Sequence, residues 1–143
     1  MRPFVLVAAA FIVACGGDAT SPAPNVTGQW SYSATNISGS GVTCNISGVS
    51  LTLTQSGSTF TGSTAGGNVS CSGPGGVLDE ALGGDVVANG QVTGNAVQFD
   101  IGTQDIHNVG TLSGNSMSGT ITLRVDTGTT TIILTGNFSA VRQ

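Results

Sequence analysis

Three cysteines, one histidine and seven carboxylates carry most of the nucleophilic, redox and metal-binding character of this sequence, so the chemistry open to it is narrow. Cys15, Cys44 and Cys71 form no Cys-x-x-Cys pair, and a single His107 does not complete an ordinary zinc set with two of them. Asp100, Asp105 and His107 fall within eight residues of one another. Were 105–113 extended, Asp105 and His107 would share a face, and a carboxylate beside an imidazole can act as a general base or bind a metal. With no second histidine, the trio reads better as a turn aspartate beside a surface histidine. There is no Gly-x-Ser-x-Gly elbow and no phosphate-binding loop. Asp79 and Glu80 are adjacent and read as solvated. The expectation is a non-enzyme without catalytic residues, metal or cofactor.

Composition narrows the classes further. The chain has 143 residues, the size of one domain, with 23 Gly, 16 Ser and 19 Thr. Lysine is absent, and Arg2, Arg124 and Arg142 are the only permanent cations against a net charge of −4. A nucleic-acid partner is thereby disfavoured, because affinity for phosphates needs clustered cations. A coiled coil or helical bundle needs far more Ala, Glu, Lys and Leu.

The first residues read as an address. After Arg2, the apolar run Phe4–Val13 is too short to span a bilayer, which takes about 20 residues, and it suits a secretory signal. Ile12-Val13-Ala14-Cys15 then resembles the lipobox of bacterial lipoproteins. The resemblance implies that residues 1–14 are removed and that Cys15 is acylated. Several acyl chains on one protein anchor it firmly without spanning the membrane. The alternative is an ordinary signal cut near Ala14, with an incidental cysteine. Gly16, in place of Asp, implies outer-membrane rather than inner-membrane residence, on either side of it. Residues 15–25 then form the lipidated cysteine and a Pro- and Gly-containing tether. With Cys15 acylated, Cys44 and Cys71 remain as a pair in an oxidising compartment and are expected to form a disulfide. Asn-x-Ser/Thr sequons at Asn25, Asn36, Asn45, Asn68 and Asn137 would suggest glycosylation in a eukaryotic secreted protein, but among 35 Ser and Thr residues they arise readily by chance, and the lipobox resemblance implies a bacterium.

From Val26 to the end the pattern is all-β. Val49, Leu51 and Leu53 alternate with Ser and Thr, as do Val97, Phe99 and Ile101, then Met117, Ile121 and Leu123. Strands are predicted at 26–35, 49–56, 58–65, 67–72, 86–93, 96–102, 106–113, 116–126 and 129–142. The connectors Ser56-Gly57, Gly66-Gly67, Gly94-Asn95, Gly114-Asn115 and Thr127-Gly128 suit tight hairpins. Short links give an up-and-down antiparallel β-barrel of eight or nine strands over 26–143, with a β-sandwich as the alternative. Closure is favoured because no lysine blunts an edge. Residues 36–48 read as a long connection, and 77–84 as either a short helix with a Gly stop or a surface loop.

Gly28-Gln29-Trp30 at the start of the first strand resembles the Gly-x-Trp signature of the calycins, the superfamily of lipocalins, fatty-acid-binding proteins and avidins. The resemblance implies that Trp30 packs across one barrel end beneath a basic residue of the last strand, here Arg142. A single Trp does not match the biotin-walling set of avidins. Tyr32, Leu53, Phe60, Phe99, Met117, Ile132 and Phe138 would face inward. They either fill a narrow barrel or line a cavity for a small apolar ligand. The expected function is accordingly a membrane-anchored envelope lipoprotein that binds a small hydrophobic molecule. The alternative is a filled barrel that meets a protein partner, as small periplasmic protease inhibitors do.

Overall fold

A strand with one apolar and one Ser/Thr face is stabilised by turning the apolar face onto other such strands. The computed structural model describes residues 24–102, 105–126 and 129–143. They form strands β1 (Gly28–Gly39), β2 (Val42–Ser56), β3 (Thr59–Ala65), β4 (Asn68–Gly73), β5 (Gly76–Ala81), β6 (Val86–Thr93), β7 (Ala96–Ile101), β8 (Ile106–Ser113), β9 (Ser116–Asp126) and β10 (Thr131–Arg142). All ladders are antiparallel. Because β1 pairs with β10 on one side and β2 on the other, the ring β1-β2-β3-β6-β7-β8-β9-β10 closes into an eight-stranded barrel.

The long strand β2 has two partners on its other edge. Ser50–Ser56 pairs with β3, while Thr43–Ser47 pairs with β4. The β4–β5 hairpin therefore branches from one end of the ring, and β5 pairs with β4 alone. The 67–72 strand lies outside the ring for this reason, and the up-and-down order is interrupted between β3 and β6.

Two expectations are corrected. Residues 36–48 are not a connection: β1 runs on to Gly39, a tight turn at Ser40-Gly41 follows with φ of 53° and 78°, and β2 starts at Val42. The alternation is hidden by two bulges, at Asn36 (φ 56°) and Gly48 (φ 70°). Each adds one residue and shifts the register, so the inward positions change from Trp30, Tyr32 and Ala34 to Ile37, and from Cys44 and Ile46 to Val49 and Leu51. Residues 77–84 are neither helix nor loop for most of their length. Pairs Cys71↔Leu78 and Val69↔Glu80 make 76–81 the outer strand of a hairpin, and this pairing overrides the weak local helix signal. The turn at Thr127-Gly128 lies outside the described residues.

Inside the barrel the aromatic side chains pack on one another. Tyr32 stacks on Phe138 at 5.9 Å between centroids, Phe99 meets Phe138 edge-on at 5.7 Å, and Phe60 lies 5.9 Å from Phe99. Eight-stranded barrels are just wide enough to be filled by side chains. The Phe60 ring lies close over β6 because its cross-strand partner at position 90 is glycine. A Cβ on Gly90 would sit 2.5 Å from the Phe60 ring.

Candidate functional site

The two ends of the barrel differ. At the end where β1 starts and β10 finishes, Trp30 and Arg142 are directly paired across the ladder. The Arg142 guanidinium carbon lies 4.4 Å from the Trp30 ring centre. Its two terminal nitrogens donate to the carbonyls of Thr27 and Asn25. Trp30 is wholly buried and its Nε1 donates to Val26 O at 2.8 Å. Gly28 adopts a φ of 135°, open to glycine but not to other residues at low cost, and this lets the chain pass under Arg142. Gln55 holds the same segment, accepting from Val26 N at 2.8 Å and donating to Pro24 O at 3.1 Å. Residues 24–27 are thus a strap across a plugged end. The structure brings Gly28, Trp30 and Arg142 together in one contact.

Of the residues expected to line a cavity, Tyr32, Leu53, Phe60, Phe99, Met117 and Phe138 are all buried, whereas Ile132 is half-buried. None of the seven lines the recess described below. A buried polar residue sits among them unforeseen: Asn108 accepts from the Tyr32 hydroxyl at 2.8 Å and donates to Phe99 O at 3.4 Å. Its position between Ile106 and Leu112, with the same parity, was the available signal. Burial holds the Tyr32 phenol well above its ordinary range, the Asn108 hydrogen bond pulling the other way. The sign is clear. The unfolded phenol ionises near pH ~10 and the folded one only later, so its contribution to stability is complete below pH ~10 and is lost as pH rises beyond it. Tyr32 is the sole tyrosine. Tyrosinate absorbance should therefore be absent from the native protein just above pH ~10 and appear together with unfolding. In Tyr32→Phe that part of the alkaline loss of stability should vanish.

On the outer wall, Asp100 of β7 and His107 of β8 form a cross-strand pair, with Nδ1 2.5 Å from Oδ1. Asn89, at a bulge with φ of 53°, donates to the other carboxylate oxygen at 2.8 Å. Asp100 is 7% exposed although it points outward, because these two neighbours cover it. An imidazole oriented by a carboxylate is the base half of a hydrolytic set, and here it also ties β7 to β8. Asp105 precedes β8 and lines the mouth instead. Among the described residues no three His, Cys, Asp or Glu side chains are grouped to hold a metal ion.

The other end is open. A recess of about 650 Å³ lies between the barrel rim and the inner face of the β4–β5 hairpin. Val69, Cys71, Leu78 and Leu82 form its hairpin wall, and Ile101, Ile106, Leu123 and Val125 its barrel wall. Leu82 is locked in place by two bonds: its N–H donates to Gly67 O at 3.1 Å, and its carbonyl accepts from the Thr64 hydroxyl. The Cys44–Cys71 disulfide joins β2 to β4 directly across their ladder and so pins the hairpin wall to the ring. Glu80, Asp85, Asp105, Asp126 and Arg124 complete the rim. Periodicity did not reveal this site, since the rim comes from strand ends and from a hairpin with no fully buried residue in β5. Cys15 lies outside the described residues. Comparison with protein-family models, curated proteins and solved structures finds no match to this chain.

Proposed function

We propose that this chain is a non-enzymatic lipoprotein of the bacterial cell envelope, anchored in the outer membrane through Cys15, that holds a small apolar molecule at the open mouth of its barrel. The ligand half rests on one observation: the recess of about 650 Å³ is the size of a small-molecule site and carries apolar side chains on both its hairpin and its barrel wall. The anchor half rests on the apolar run that ends in Ile12-Val13-Ala14-Cys15. The two halves fit geometrically. The strap at 24–27 fixes the chain's entry to the plugged end, so a tether from Cys15 would join the barrel at the end opposite the mouth. The calycin-like packing of Trp30 under Arg142 agrees with a carrier of this kind.

Native mass spectrometry of protein released from its own envelope tests both halves. A diacylglyceryl mass on Cys15 and a small-molecule adduct are expected. Protein without an adduct, from envelope never exposed to competing detergent, would reject the carrier reading. In phase partitioning, wild type should enter the detergent phase and Cys15→Ala should stay in the aqueous phase. Equal partition of both would reject the anchor.

A second reading, a module that meets a protein partner, is favoured by β5. It is an edge strand with Val77 and Leu78 exposed at 69% and 66%, and such an edge can accept another strand. Recovery of a stoichiometric protein complex in the same mass spectrum, with an empty mouth, would select it.

A further inference from the structure

The mouth has a charge as well as a shape, and this narrows what it accepts. Its floor is apolar, with Leu82, Ile101, Ile106 and Leu123 each at most 6% exposed. Around them stand four of the chain's seven carboxylates: Glu80 from β5, Asp85 ahead of β6, Asp105 ahead of β8 and Asp126 at the end of β9. They come from four separate segments that only barrel closure and the branching hairpin bring to one rim. Arg124 is the single cation there, since Arg142 is engaged at the opposite end. The rim is therefore net negative above an apolar floor.

We propose that the ligand is a cationic amphiphile, with an apolar body against the floor and an ammonium or amidinium head beside Glu80 and Asp85 on the net-negative rim. This inference rests on the carrier reading above. A fatty acid, with the opposite head charge, would bring its carboxylate onto an already negative rim, where like charges repel and desolvation adds to the cost. A neutral apolar molecule would gain the floor but nothing from the rim. A cation gains both. The net charge of −4 also draws cations toward the mouth before contact.

Three probes of equal chain length separate these cases: decyltrimethylammonium, decanol and decanoate, each below its aggregation limit. The full chain is held in phosphatidylcholine nanodiscs, free probe is measured by equilibrium dialysis, and binding is read from the methyl resonances of Ile101, Ile106 and Leu123. The ammonium is expected to bind about tenfold tighter than decanol, ~1.4 kcal/mol of head-group discrimination, with decanoate weakest. Glu80→Gln, on an exposed strand that its loss will not unfold, should weaken the ammonium several-fold and leave decanol unchanged. Asp85→Asn should do the same, with the melting temperature checked for each. Equal binding of ammonium and decanol, or tighter binding of decanoate, overturns the charge assignment and leaves the carrier reading standing. No methyl shift with any probe overturns both.

Discussion

Replacing Trp30 by alanine is expected to remove ~3–5 kcal/mol of stability, the range for deleting a large buried aromatic. The side chain is wholly buried at the plugged end, so its loss leaves a cavity bounded by β1, β2 and the strap rather than a collapsible surface. It also releases the Val26 carbonyl from its Nε1 donor. Arg142→Ala should cost less, ~1–2 kcal/mol, through lost stacking and lost donation to the Thr27 and Asn25 carbonyls. The two costs should not add. Once the indole is gone the guanidinium has no ring to cover, so the double variant should be more stable than the sum of the single losses implies, by at least ~0.5 kcal/mol. Trp30 is the only tryptophan, so urea titrations should be followed by circular dichroism in all four proteins of the cycle. Additive costs would mean that the cover and the plug act separately, and that Arg142 stabilises only the strap.

The same contact shows which features the sequence could reveal. In a closed barrel with an even number of antiparallel strands, the start of the first and the end of the last lie on one rim. Trp30 and Arg142 meet although they stand at opposite ends of the domain, and no local pattern was needed to bring them together. The Cys44–Cys71 bond is likewise present; the odd cysteine count, with Cys15 set aside by the lipobox resemblance, led to that pair. Alternation failed where the backbone itself departs from alternation. Asn36 and Gly48 each insert a residue, and a reader counting by two loses the inward face at that point. It failed again at β5, where every residue is exposed and no apolar face exists to count. Filling of the barrel was legible only as a choice between a packed core and a cavity. One deciding residue has no side chain: Gly90, opposite Phe60 on β6, makes room for the Phe60 ring. Glycines give no hydropathy signal, so the aromatic residues alone could not say how closely they pack. The open mouth was illegible for a topological reason, because its rim is gathered from strand ends whose proximity exists only after closure.

Removing the disulfide is expected to cost ~3.5 kcal/mol, the chain-entropy figure for a bond closing 27 residues of sequence separation. The structure says where that loss should appear first. The ring does not depend on β4 and β5, since all eight of its strands pair with one another without them. The hairpin has a thinner hold. It is attached by the β2–β4 ladder, by Leu82 and by the Cys44–Cys71 bond, while β5 has no second neighbour. In Cys44→Ser/Cys71→Ser the hairpin should therefore open at lower free energy than the barrel. Amide exchange should accelerate across 68–81 by a larger factor than at Phe99 or Ile121, which lie in the ring. Global unfolding should shift as well, because the bond constrains the unfolded chain wherever it lies in the native one. The double replacement, not a single one, is the right variant, since one remaining thiol can cross-link two copies. A uniform acceleration at every amide would show that hairpin and ring unfold as one unit. In that case the hairpin wall of the mouth is as rigid as the barrel wall opposite it, and reduction would close or open nothing on its own.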